Sequence, residues 1–153
     1  MSSIIPYLYF DGTCEEAFQF YLSVLGGQIP YSGRYSDMPA SEESEMKPDA
    51  ALSDRIMHIS LVTEDGSTIL GSDIPSRSLP GYEFTEGNNV AMSLNARSRE
   101  QAEQIFNGLS DGGRVTMPLT DTFWGAYFGM WVDKFGISWM VNYDDPTKIS
   151  NYS

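Results

Sequence analysis

The chain has 153 residues, 41% hydrophobic and 20% charged, the balance of one folded domain or of two small modules sharing a core. A formal charge of −12 argues against nucleic-acid binding, which needs cations to displace counterions from phosphates, and against anionic membrane surfaces. No apolar run nears the ~20 residues that span a bilayer, the first residues carry no basic and apolar leader, and a single cysteine permits no intrachain disulfide, so a cytoplasmic location is expected.

Residues 4–10 read as a strand ending at the turn Asp11-Gly12. Thr13-Cys14-Glu15-Glu16 has the hydroxyl–x–x–Glu form of a capping box and opens a helix over 14–25. Ala17, Phe18, Tyr21, Leu22 and Leu25 then share one apolar face, and Gly26-Gly27 stops the helix. Residues 28–35 read as a second strand. Residues 36–55 differ in kind: Asp37, Glu42, Glu43, Glu45, Asp49 and Asp54 face only Lys47 and Arg55, with Pro39 and Pro48 among them. Without the spacing of a calcium loop this is a solvated, acidic insertion. Residues 56–62 and 68–71 flank Glu64-Asp65-Gly66-Ser67 as a hairpin.

The second half repeats the first. A strand over 90–95 precedes Ser98-Arg99-Glu100-Gln101, a second capping box, and a helix over 99–109 with Ala102, Ile105, Phe106 and Leu109 on its apolar face. Gly112-Gly113 stops it, 115–119 is a strand, and 125–132 with 137–143 form a hairpin around Asp133-Lys134-Phe135-Gly136. The capping hydroxyls lie 85 residues apart, the double glycines 86 and the hairpin glycines Gly66 and Gly136 70, so the first half carries about sixteen extra residues, the size of the acidic insertion. The expected fold is α+β, two tandem βαβββ modules in a single domain: a first module over 3–75, a linker over 76–87 and a second module over 88–145. Such a repeat is expected to place one site between its halves.

The chain resembles the PhnB-like group of the vicinal oxygen chelate superfamily, which includes glyoxalase I, bleomycin-resistance proteins and extradiol dioxygenases. The resemblance rests on Pro6-Tyr7-Leu8-Tyr9-Phe10, Phe20-Tyr21, Leu25-Gly26-Gly27, Met57-His58 and Ser72-Asp73. It rests most on Thr122-Phe123-Trp124-Gly125, Tyr127-Phe128-Gly129 and Asp133-Lys134-Phe135-Gly136-Ile137-Ser138-Trp139-Met140. Some relatives bear a ubiquinone-pathway methyltransferase label. The residues give it no support, since no glycine-rich turn follows a strand to cradle a nucleoside cofactor.

In metal-dependent members, equivalent strands of the two modules supply four ligands. Carried over, these fall on Ile5, Leu70, Asn89 and Met140, which offer no imidazole, carboxylate or thiolate. The resemblance therefore implies a protein without the usual metal centre, and no cofactor is expected; a divalent metal at an atypical site is the alternative. Alternation along the strands puts Ile5, Tyr7 and Tyr9 on one face, Asn89, Ala91 and Ser93 on another, and Ser138, Met140 and Asn142 on a third.

The expected ligand-binding residues are Tyr7, Tyr9, Ser72, Asp73, Asn89, Trp124 and Met140. His58, the only histidine, is the candidate catalytic residue, as a pocket base or as a metal ligand beside Asp73, or else is a strand histidine satisfied by a hydrogen bond. Cys14 has no histidine partner in reach and no expected role as a nucleophile, and Trp131 and Trp139 are expected in the core. The expected function is small-molecule binding by a homodimer of the glyoxalase/bleomycin-resistance type. The alternative is an isomerase, lyase or dioxygenase using His58 with an atypical metal or an acid partner.

Overall fold

The structure is a computed structural model that describes residues 3–37, 52–76, 81 and 83–148. Most of the acidic insertion and part of the linker lie outside these. The chain divides into two compact units, Met1–Thr85 and Glu86–Ser153.

In the first unit β1 (Tyr7–Phe10) leads into α1 (Cys14–Leu25), β2 (Gln28–Arg34), a single 3-10 turn (Tyr35–Asp37), β3 (Ile56–Val62) and β4 (Thr68–Asp73). In the second, β5 (Met92–Asn95) is followed by α2 (Arg99–Ser110), β6 (Arg114–Asp121), β7 (Ala126–Val132) and β8 (Ser138–Asp144). Each unit is therefore βαβββ. The sheet orders, β1-β4-β3-β2 and β5-β8-β7-β6, are the same, with one parallel pair, β1 with β4 and β5 with β8, and the rest antiparallel. The strand expected over 90–95 begins only at Met92, which leaves Asn89 exposed ahead of it rather than on a strand face.

Each helix covers one face of its own sheet. From α1, Cys14, Ala17, Phe18 and Tyr21 are buried, and from α2, Ala102, Ile105, Phe106 and Leu109. Trp131 and Trp139 lie stacked beneath α2 with ring centroids 6.4 Å apart, as core residues. Both helices press a phenyl ring onto a glycine. A Cβ on Gly71 would lie 2.6 Å from the Phe18 ring, and one on Gly129 2.8 Å from that of Phe106. These glycines sit on opposite members of the cross-strand pairs Ile59–Gly71 and Gly129–Val141. One large and one absent side chain per pair preserves the packed volume in each unit.

The two helices do not start in the same way. Ser98 is extended (φ −156°, ψ 164°), so its hydroxyl accepts the Gln101 N–H at 3.0 Å, while Gln101 Oε1 accepts the Arg97 N–H at 2.6 Å. Thr13 (φ −106°, ψ 9°) makes no side-chain cap. A residue from the far end of the unit replaces it. Asp73 Oδ1 accepts the N–H groups of Gly12 at 2.8 Å and Cys14 at 3.0 Å, and its Oδ2 accepts that of Ile56 at 3.0 Å.

Candidate functional site

Strand pairing determines which side chains share the face of the first sheet opposite α1. Tyr7 pairs with Leu70, Tyr9 with Ser72, Gly33 with His58 and Tyr31 with Ser60, and residues paired directly point to the same side. Gly71, opposite Ile59, faces Phe18 of α1, so its neighbour Ser72 faces away with Tyr7, Tyr9, Tyr31 and His58. Three strands thus bring one histidine and three tyrosines into a row.

The rings adjoin in sequence. Tyr9 and Tyr7 have centroids 5.1 Å apart, Tyr7 and His58 5.6 Å, and His58 and Tyr31 5.9 Å, each pair tilted by 35–39°. Gly33 makes the last contact fit, because a Cβ there would lie 2.6 Å from the Tyr31 hydroxyl. Tyr9 is 59% exposed, Tyr31 51% and Tyr7 37%, so their π faces can be reached. The Tyr7 hydroxyl lies 3.0 Å from His58 Nδ1. Burial raises the Tyr7 phenol above its ordinary pKa, partly offset by a hydrogen bond from Ser72 and reinforced by Tyr9 and Cys14. Tyr7 therefore stays protonated at neutral pH and can donate to the imidazole.

Of the expected site residues, Tyr7, Tyr9, His58 and Ser72 come together here. Asp73 does not join them. It lies on the helix side, 2% exposed, with both oxygens occupied by backbone N–H groups, and is a structural residue rather than a partner of His58. Tyr31 was not expected; a tyrosine two residues before a strand glycine was the signal available. Asn89, Trp124 and Met140 belong to the second unit. There Met140 is half-buried on the face opposite α2, paired with Ser93 and Met130. Trp124 is 41% exposed and stands edge-on to Phe123 in the turn before β7.

The positions expected for metal ligands hold no metal-binding donor set. Leu70 is an aliphatic neighbour of Tyr7, and Ile5 lies ahead of β1. Among the described residues no group of three or more His, Cys, Asp or Glu side chains could hold a metal ion. A separate cleft of about 250 Å³ on the first unit includes Gly12, Glu15, Arg34, Asp54, Arg55 and Asp73. Its cations are already engaged: Arg34 with Glu15 and the Asp54 carbonyl, Arg55 with Asp11 at 2.8 Å.

Residues 2–142 match the family model described as 3-demethylubiquinone-9 3-methyltransferase. The chain belongs to this PhnB-like family. Protein YjdN of Escherichia coli K12 is 31% identical to it over 146 residues, covering 90% of this chain and 92% of that protein. The crystal structure of PA1353 from Pseudomonas aeruginosa is 39% identical and superposes with a TM-score of 0.79, covering 94% of this chain and 98% of that one. A glyoxylase/bleomycin resistance protein/dioxygenase domain from Frankia sp. EAN1pec shares the fold at 12% identity and a TM-score of 0.62, covering 100% of this chain and 99% of that one. The PhnB-like chain thus has the α+β fold of the vicinal oxygen chelate superfamily. Among its described residues no helix is long and apolar enough to cross a membrane.

Proposed function

We propose that this PhnB-like protein binds a small molecule on the open face of its first sheet, without a metal centre of the glyoxalase type, as a cytoplasmic homodimer. The observation that carries the reading is the row Tyr9–Tyr7–His58–Tyr31, three strands contributing adjoining rings with accessible faces. Aromatic rings offer a ligand large contact area at little cost in side-chain entropy.

The donor chemistry supports a site without metal. A divalent cation needs several imidazole, carboxylate or thiolate ligands. His58 bonds through Nδ1 to Tyr7, and the oxygens of Asp73 are held on the other side of the sheet. The same placement leaves an enzyme using His58 and Asp73 as an acid–base pair without its acid. A methyl transfer, which the family's description names, draws no support from these sheets, since neither is a doubly wound parallel sheet with a nucleoside site at its switch point.

The test is a screen of flat aromatic compounds followed by NMR of His58, paired with elemental analysis of protein purified without chelator or added metal. Ligands that shift His58 and the ring resonances of Tyr7 and Tyr31, with metal well below stoichiometric, are the expected result. One metal ion per chain would overturn the metal-free reading. Light scattering is expected to give twice the mass of the chain.

A further inference from the structure

We infer that the Tyr7–His58 hydrogen bond holds His58 as an Nε2–H donor, and that the site thereby selects a neutral, flat aromatic ligand bearing a carbonyl oxygen. The inference rests on the binding-site reading above and adds the class of ligand.

Three observations lead to it. First, the Tyr7 hydroxyl lies 3.0 Å from His58 Nδ1, and because a phenol O–H is the stronger donor and an unprotonated imidazole nitrogen the stronger acceptor, we take Tyr7 as the donor of that bond. A neutral imidazole that accepts at Nδ1 carries its proton on Nε2. Second, Nε2 has no protein partner among the described residues, although His58 is half-buried between Tyr7 and Tyr31. A donor standing between two rings is completed by an acceptor in the plane of something stacked on those rings.

Third, the described residues of this face are uncharged. Tyr7, Tyr9, Tyr31, Ser60, Leu70 and Ser72 bring no ammonium, guanidinium or carboxylate to it. Among the described residues an anionic ligand would find no counter-charge there, and it would meet a chain of net charge −12. A cation could use the ring faces, but would have the N–H dipole of His58 directed at it. A carbonyl oxygen on a flat, uncharged ring system satisfies the donor and the rings together. Tyr7 is in this account a positioning residue as well as a stacking one.

His58 is the only histidine, so the two imidazole nitrogens of the ¹⁵N-labelled full chain need no assignment. At a pH where His58 is neutral, a protonated Nε2 and a hydrogen-bonded, unprotonated Nδ1 are expected. Tyr7→Phe, which keeps the ring, should release Nδ1 to the shift of an unbonded nitrogen; a tyrosine that served packing alone would leave it in place. Three probes then separate the ligand classes: 2-acetylnaphthalene, 2-ethylnaphthalene and 2-naphthylmethylammonium. The ketone should bind about 3- to 10-fold more tightly than the hydrocarbon, the worth of one neutral hydrogen bond, and Tyr7→Phe should erase most of that ratio.

An Nδ1–H tautomer, or equal affinity for ketone and hydrocarbon, overturns the inference and leaves the aromatic site standing. Tighter binding of the ammonium overturns it in favour of a cation cage. If no probe moves His58 or its neighbours, the site itself is refuted. Should Tyr7→Phe fail to fold, the wild-type tautomer and the ketone-to-hydrocarbon ratio still decide.

Discussion

Asp73 and Asp133 are buried aspartates, one near each hairpin, and both work on the backbone. Asp73 joins three N–H groups from the β1–α1 turn and the start of β3, and its carbonyl accepts the Tyr35 hydroxyl at 2.7 Å. Asp133 Oδ1 accepts the N–H groups of Phe135 and Ile137, and its Oδ2 accepts the Trp139 indole N–H at 2.8 Å. The motif Asp133 to Trp139, on which the resemblance partly rests, is therefore a turn clamped to the core. Asp73→Ala would leave three N–H groups without their acceptor, two of them buried. At ~1–3 kcal/mol for each unsatisfied buried group, a loss of about 2–6 kcal/mol is expected in urea unfolding. A loss below about 1 kcal/mol would show that water replaces the carboxylate.

Arg99 shows the same division between fold and site on the exposed side. Its guanidinium meets Asp121 through two bonds, 2.8 and 3.0 Å, and lies 3.9 Å over the Tyr127 ring, while Lys148 reaches Asp121 at 3.2 Å. The Arg99 hydrogen bonds, with those of Lys148, hold the Asp121 carboxyl down to about 2. A carboxyl lowered on folding contributes stability above its unfolded value, near 3.9, and that contribution is lost as pH falls through about 2. The carboxyl is solvent-exposed, so the readout is its own titration: a ¹³C midpoint near 2 in the wild type, rising toward the ordinary range in Arg99→Gln.

The two helix starts make the strongest comparison between elements. Capping signatures of the same form yield one local cap and one long-range substitute, because the Thr13 backbone is not in the extended conformation that aims a capping hydroxyl. Ser98→Ala should cost about 1 kcal/mol, and Thr13→Ala no more than about 0.3 kcal/mol, since Thr13 contributes its carbonyl, not its hydroxyl, to the helix. Equal costs measured by thermal or urea unfolding would overturn this account. The glycine beneath each phenyl ring belongs to the same level. Gly71→Ala must displace Phe18 and should cost about 1–3 kcal/mol, the usual range for overpacking.

Across the whole molecule, Cys14 reports on global opening. It is fully buried in the first turn of α1, and burial, followed by the charges of Asp73 and Glu15, pushes its thiol well above the ordinary range. Native protein should therefore react with a disulfide reagent only as fast as it unfolds, and denatured protein should react at once, with one equivalent per chain. Rapid reaction of the folded protein would mean that the first turn of α1 opens independently.

The duplicated βαβββ order, the hairpins and the buried helix faces were all legible in the chain, because periodicity, paired glycines and turn residues are local signals. Tyr7, Tyr9 and His58 could be placed on strands by alternation, whereas Ser72 fell just past the strand expected over 68–71 and lies within β4. What alternation lacks is the register between strands. Register put Ser72 beside Tyr9 and turned Asp73 to the helix side, and it brought Tyr31 to His58 across a glycine. The sequence by itself determined the class of fold and which residue types were available for chemistry. The tertiary structure decided which of them meet, because hydrogen-bond pairing between strands far apart in the chain selects the neighbours of each side chain, and a shift of one residue sends it to the opposite face.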